Sequence, residues 1–175
     1  MRALAIVAMC MLACVVYGIA HDQITARICP EYFTIGHPPL VATESPTLLG
    51  IAWGIAATWW VGLILGGSLA AAARAGGWPK REVGSLVRPV LAVMLISACC
   101  ALLFGVVGYL LAAGDVVRLL EPMASNVPAE KHVAFLTDLW AHNASYGAGF
   151  LGGIVICYRV LRDRALQAFL EKHPA

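Results

Sequence analysis

Four apolar stretches, at 3–20, 48–73, 90–113 and 139–158, constrain this chain more than any other feature. Crossing roughly 30 Å of hydrocarbon takes about 20 helical residues, and each stretch is of that order. Lipid offers backbone groups no partner outside their own segment, so each stretch must be a helix. The expected fold is therefore all-α: a single polytopic membrane domain, a bundle of four transmembrane helices. Composition agrees, with 61% hydrophobic and 13% charged residues among 175, where a soluble domain carries about 25% charged. A net charge of +2, with no basic stripe interleaved with aromatics, predicts no nucleic-acid partner. The lipid bilayer is the expected surrounding.

Orientation follows from lysine and arginine. Arg2 precedes the first span, Arg74, Lys80, Arg81 and Arg88 crowd the inner connection 74–89, and Arg159, Arg162, Arg164 and Lys172 lie in the tail 159–175. The outer connections 21–47 and 114–131 hold only Arg27, Arg118 and Lys131. The positive-inside rule then predicts both termini in the cytoplasm, N-in/C-in. Arg2, an apolar core and Gly18-Ile19-Ala20 also have the outline of a secretory signal with a small-residue cleavage site. The apolar run is long for such a signal, and a retained first helix is expected. Apolar sequence continues directly after Cys14, which makes Met11-Leu12-Ala13-Cys14 a poor lipobox.

The second span carries small residues at every fourth position: Gly50, Gly54, Thr58, Gly62, Gly66 and Ala70. Such a stripe lets two backbones approach closely, within one chain or between copies of it in a homo-oligomer. Trp59 and Trp60 are expected to fill space inside the bundle, or against a bound lipid or quinone, with packing the preferred reading. The fourth helix is expected over 128–158, with Pro128 in its first turn and Glu130 at the positive end of its dipole. At 100° per residue, Asp138, His142, Ser145, Gly149 and Gly153 share a narrow stripe that points into the bundle, with Trp140, Leu151, Ile154 and Tyr158 opposite, toward lipid. Asp115 to Glu121 reads as a short amphipathic surface helix. The basic tail is expected along the inner surface.

Four of the five histidines, His21, His37, His132 and His142, fall on the expected outer side, together with most acidic residues. The middles of the second and third spans hold no ionisable side chain, which argues against a proton- or ion-coupled transporter. Asp138 and His142 have the i, i+4 spacing that puts two ligands on one helical face. His21 and Asp22 end the first span at the same depth, and Glu31 and His37 come from a connection stiffened by Pro38 and Pro39. These six are the candidate metal ligands; histidine with carboxylate suits zinc, iron or copper if at least three converge. Haem held axially by His21 and His142 is a variant of the same idea. The competing role is structural, with Asp138 paired to Arg27 and His142 bonded to Ser145, Tyr146 or a loop carbonyl, fastening the first connection to the fourth helix or presenting a rim to a partner membrane subunit. Ser145 and Cys29 could be nucleophiles, but no elbow or triad pattern surrounds them. The other five cysteines lie within apolar runs and no C-x-x-C occurs, so neither a redox pair nor a thiolate zinc site is indicated.

The segment His21-Asp-Gln-Ile-Thr-Ala-Arg-Ile-Cys-Pro-Glu-Tyr-Phe-Thr-Ile-Gly-His-Pro38, with Ser45-Pro-Thr-Leu-Leu-Gly50, Trp53-Gly-Ile-Ala-Ala-Thr-Trp-Trp60 and Asp138-Leu-Trp-Ala-His-Asn-Ala-Ser-Tyr146, resembles an uncharacterised family of bacterial four-helix integral membrane proteins. The resemblance spans most of the chain. It implies a protein of the bacterial cytoplasmic (inner) membrane and brings no activity with it.

Overall fold

Helix alone satisfies the backbone. The computed structural model describes residues 1–173, with no strand among them. Its elements are α1 (Arg2–Ile28), α2 (Pro30–Thr34), α3 (Pro46–Ala56), α4 (Trp59–Arg74), α5 (Val83–Ala113), α6 (Met123–Asn126) and α7 (His132–Lys172), with a 3₁₀ turn over Ala129–Lys131 before α7. Four helical runs are long and apolar enough to cross a membrane: α1, α3 with α4, α5, and Ala129–Lys172.

Close packing divides these runs into two pairs. Along α3 and α4, a Cβ on Gly54 would lie 2.5 Å from the Ile19 backbone, one on Gly62 2.6 Å from Met11 Cα, and one on Gly66 2.7 Å from Val7 Cα. The glycine stripe therefore seats α1 against both α3 and α4, and it is spent within the chain rather than between copies. The second pair is α5 with α7. There a Cβ on Gly108 would lie 2.7 Å from the Trp140 side chain and one on Gly152 2.9 Å from Val93. Trp140 thus rests against a glycine of α5 instead of facing lipid, whereas Leu151, Ile154 and Tyr158 are exposed as expected.

The pairs are joined by apolar clusters at the two ends of the bundle. Ile6, Leu69, Leu86, Val90, Ile156 and Val160 belong to one, and Tyr32, Phe33, Leu49, Val127 and Phe135 to the other. The first lies beside the arginine-rich connection. The second lies where the histidines gather, and the two ends are called the arginine end and the histidine end.

Several boundaries differ from the sequence expectation, each for a local reason. First, α1 continues past Ala20 to Ile28, so 21–28 is helix and not loop. Its polar residues find partners on neighbouring segments: Gln23 donates to Thr47 O at 3.0 Å and Arg27 to Thr47 Oγ1 at 2.8 Å. Gly18, within the small-residue site weighed for cleavage, lies mid-helix against Gly54 and Thr58.

The second span is interrupted. Thr58 Oγ1 donates to Gly54 O, the acceptor its own amide would use in a continuous helix, while the Thr58 amide reaches Ile55 O at 3.3 Å. Tyr146 on α7 donates to the Ala57 carbonyl at 3.4 Å, covering a group the break exposes. Just past the break, Trp59 and Trp60 are each 46% exposed. They coat the bundle and do not fill it.

The expected amphipathic helix at 115–121 does not form. Asp115 adopts φ 58°, and the amides of Val116 and Val117 both turn back to Leu111 O, at 2.9 and 3.2 Å, which ends α5 in a tight reversal.

The tail is not a separate surface segment either. α7 runs unbroken through it, and its 41 residues extend about 62 Å at 1.5 Å each. The reason is Arg164, which is fully buried. Its guanidinium donates to the carbonyls of Ala72, Ala75, Trp78 and Pro79. It thereby caps α4, whose last carbonyls have no helical partner and whose C-terminus attracts a cation.

Candidate functional site

At the histidine end α1 delivers His21 and Asp22, and α7 delivers Asp138 and His142. Because α7 is helical from His132, Asp138, His142 and Ser145 do share one inward face, at 0%, 8% and 8% exposure. His142 is fixed from both sides. Its Nδ1 lies 2.8 Å from Asp138 O, a backbone carbonyl that can only accept, so Nδ1 carries the proton. In the neutral ring Nε2 is then a bare lone pair, yet it faces Asp22 Oδ1 at 3.2 Å. Two acceptors at that distance call for a positive species between them, a proton or a metal ion. Tyr32 stacks on the His142 ring at 4.5 Å and 24°, holding its plane.

His21 completes the group. His21, Asp22 and His142 each offer one ligand atom, and these atoms lie within 4.8 Å of one another. His21 Nε2 is buried with no hydrogen-bond partner among the described residues. The His21 and His142 rings meet edge to face with centroids 4.5 Å apart. No macrocycle fits between rings in contact, so the arrangement does not suit a haem held by this pair.

The other three candidates stand outside the convergence. Glu31 pairs with Lys131 at 3.3 Å and accepts from the Cys29 thiol at 3.5 Å. Burial raises the Glu31 carboxyl, but its own backbone amide, Lys131 and Cys29 outweigh that and hold it below the ordinary carboxylate value. His37 donates from Nδ1 to Tyr32 O at 2.8 Å and packs against Trp53 at 4.9 Å. Asp138 is the surprise. It does not pair with Arg27, whose guanidinium is taken by Gln23 and Thr47. Both Asp138 carboxylate oxygens are buried without a hydrogen-bond partner among the described residues, a costly state that buried polar groups normally avoid. The Cys29 amide, the backbone donor that faces it, bonds instead to Thr25 O at 2.9 Å.

Neither proposed nucleophile is armed. Cys29 is fully buried, and burial pushes its thiol up to about 12. Ser145 Oγ is bonded to the Tyr17 hydroxyl at 2.7 Å rather than to a base. Tyr17 and Tyr32 are the residues sequence reasoning missed. Tyr17 lies one turn before His21 on the same face of α1, a legible signal. Tyr32 comes from a five-residue helix that no periodicity announces.

Two cavities meet at the Asp22–His142 contact. The smaller, about 290 Å³, is walled by Tyr32, Phe33, His37, Trp53, Trp60 and Tyr146. The larger, about 830 Å³, runs between α4 and α7 toward the arginine end. Asp22, His142, Ala57, Trp60 and Tyr146 border both. The interruption after α3 thus sits where the cavities join, the setting in which a membrane protein tolerates irregular backbone. No protein-family model matches the chain, and no curated protein or solved structure does.

Proposed function

We propose that this chain is a multi-pass protein of the bacterial cytoplasmic membrane, with both termini inside, and that its outer end binds a divalent transition metal through His21, Asp22 and His142. The observation that carries this is the clustering of those three ligand atoms within 4.8 Å, with the second nitrogen of His142 spent on a backbone carbonyl. That second bond is the usual way a metal-bound imidazole is oriented. Around a tetrahedral ion at ~2.1 Å, ligand atoms sit about 3.4 Å apart, so side-chain movements of the order of an ångström close the site. Two imidazoles, one carboxylate and an open position toward both cavities match the donor count of metal centres that act on a substrate. Zinc and ferrous iron suit this donor set best.

A structural role is the second reading, favoured by the same Asp22–His142 contact. It ties α1 to α7, as Glu31–Lys131 ties α2 to the turn before α7. On that reading the rim fastens the bundle or receives a partner membrane subunit. Metal analysis of detergent-purified protein, with cobalt(II) titration followed in the visible, separates the two. Near one equivalent of metal, lost in His142→Ala and His21→Ala and kept in Glu31→Gln and His37→Ala, supports the metal centre. Protein that is metal-free as purified and gives no cobalt spectrum leaves the rim as a fastener.

A further inference from the structure

The larger cavity has a shape the metal centre alone does not need. It begins at His21, Asp22 and His142 and ends at Cys157 and Leu161 of α7. The 19 helical steps from His142 to Leu161 give it a length of about 28 Å along the helix. It is a gap between the two helix pairs. Small-residue stripes close α1 onto α3–α4 and glycines close α5 onto α7, whereas α4 and α7 meet along the groove through the end of the Leu65 side chain at Gly153 and not backbone to backbone. Its lip is formed by Ile64, Phe150 and Ile154, which are 62%, 71% and 52% exposed, so it opens sideways along the apolar flank of the bundle.

Two polar atoms inside it have no hydrogen-bond partner among the described residues: His21 Nε2 at the histidine end, and Ser97 Oγ part-way down. Ser97 is only 1% exposed, and lone buried hydroxyls in apolar walls are uncommon. Beside it lies Gly149, which also lines the groove and whose Cβ would make ordinary contact with Ser97 Oγ at 3.5 Å. A glycine there leaves the groove wall without a side chain at the level of the hydroxyl.

We propose that this groove binds one chain of a long-chain acyl amphiphile, admitted sideways from the bilayer. Its headgroup oxygen reaches the cluster of His21, Asp22 and His142, and its acyl chain extends past Ser97 toward Cys157. The placement of the head rests on the metal-centre reading, because an oxygen ligand fills the open position on the ion. A groove of this volume is within the range of about 300–1,000 Å³ that encloses small-molecule ligands. The amphiphile is the class of ligand with one polar end to match the cluster and an apolar remainder to match the walls.

The test is photolabelling of the full-length, zinc-loaded protein in detergent with a diazirine-bearing sixteen-carbon fatty acid, with crosslinks mapped by mass spectrometry and zinc measured on the same samples. The expected result is labelling concentrated on groove residues such as Ser97, Gly149 and Cys157, competed away by palmitate. In Gly149→Leu it falls at least about tenfold, the effect of about 1.4 kcal/mol, while bound zinc is unchanged. Gly153→Leu serves as the second variant, since its added carbon meets only the flexible end of Leu65, at 3.1 Å. Groove labelling in a protein that holds no zinc supports the groove and sinks the metal centre. Bound zinc, with labelling spread evenly over outward residues such as Leu102 and Leu110 or unchanged in both variants, overturns the groove and leaves the metal centre standing. Absence of labelling overturns it too.

Discussion

Arg164→Met removes a guanidinium and keeps most of the aliphatic stem, so it isolates the polar work of one fully buried side chain. That guanidinium serves four carbonyls, those of Ala72, Ala75, Trp78 and Pro79. At a net worth of about 1 kcal/mol per hydrogen bond, with all four acceptors left dry, the loss is about 4 kcal/mol. Ala75 and Trp78 are exposed residues, and water reaching their carbonyls brings the expected loss to about 3 kcal/mol. For a chain of this size each kcal/mol shifts the midpoint by about 2–4 °C, so Tm falls by roughly 6–12 °C. The assay is thermal unfolding in one detergent, followed by tryptophan emission, with Arg164→Lys alongside. Lysine retains the charge but lacks the planar fork that serves several carbonyls together, and it recovers less than half of the loss. A midpoint for Arg164→Met within about 2 °C of the wild type would refute the assignment of Arg164 as the cap that holds α7 to the end of α4.

Gly54→Ala forces a methyl to within 2.5 Å of the Ile19 backbone and should destabilise the fold by about 1–3 kcal/mol. Gly67→Ala meets nothing within 4 Å and should be neutral or stabilising by up to about 1 kcal/mol, so equal effects of the two would contradict the pairing of α1 with α3–α4. Glu31 has its carboxyl held below the ordinary value of 4.5. Its contribution is therefore complete above that value and lost as pH falls through the lower folded value. Lys131→Met should flatten stability between those two limits, checked by unfolding midpoints across an acid pH series. Cys29, with a buried thiol near 12, should resist N-ethylmaleimide at pH 8 until the protein is unfolded. Peptide mapping of the adduct before and after unfolding checks this.

The four spans, the glycine stripe and the inward turn of Asp138 and His142 were legible because each rests on a periodicity written into consecutive residues. The convergence of His21 and Asp22 with His142 was legible only as a possibility. Which side chains meet depends on the rotation of α1, and that is set by glycines on α3 and α4. The extension of α1 to Ile28 was hidden by residues that look like a loop. His21, Asp22, Gln23 and Arg27 are polar, and the partners that Asp22, Gln23 and Arg27 find on α3 and α7 lie far away in sequence. The interruption after α3 was hidden for the opposite reason. No proline marks it, and one threonine hydroxyl taking a backbone acceptor is enough. Arg164 looked like one more tail arginine, since nothing in a run of basic residues says which will be buried.

The two apolar clusters that join the helix pairs lie at opposite ends, with the groove between them. A bundle supported at its abutments and slack at mid-span has an uneven tolerance for change. In a saturation mutagenesis map of α3, α4 and α7, the inward positions would form two intolerant bands, around Leu69 with Val160 and around Phe135 with Leu49. Between the bands, the positions of α4 and α7 that face the groove, unlike the glycines of α4 seated on α1, would accept substitutions that change their shape without unfolding the chain. Variation there can alter what the protein accommodates while the supports at either end stay as they are.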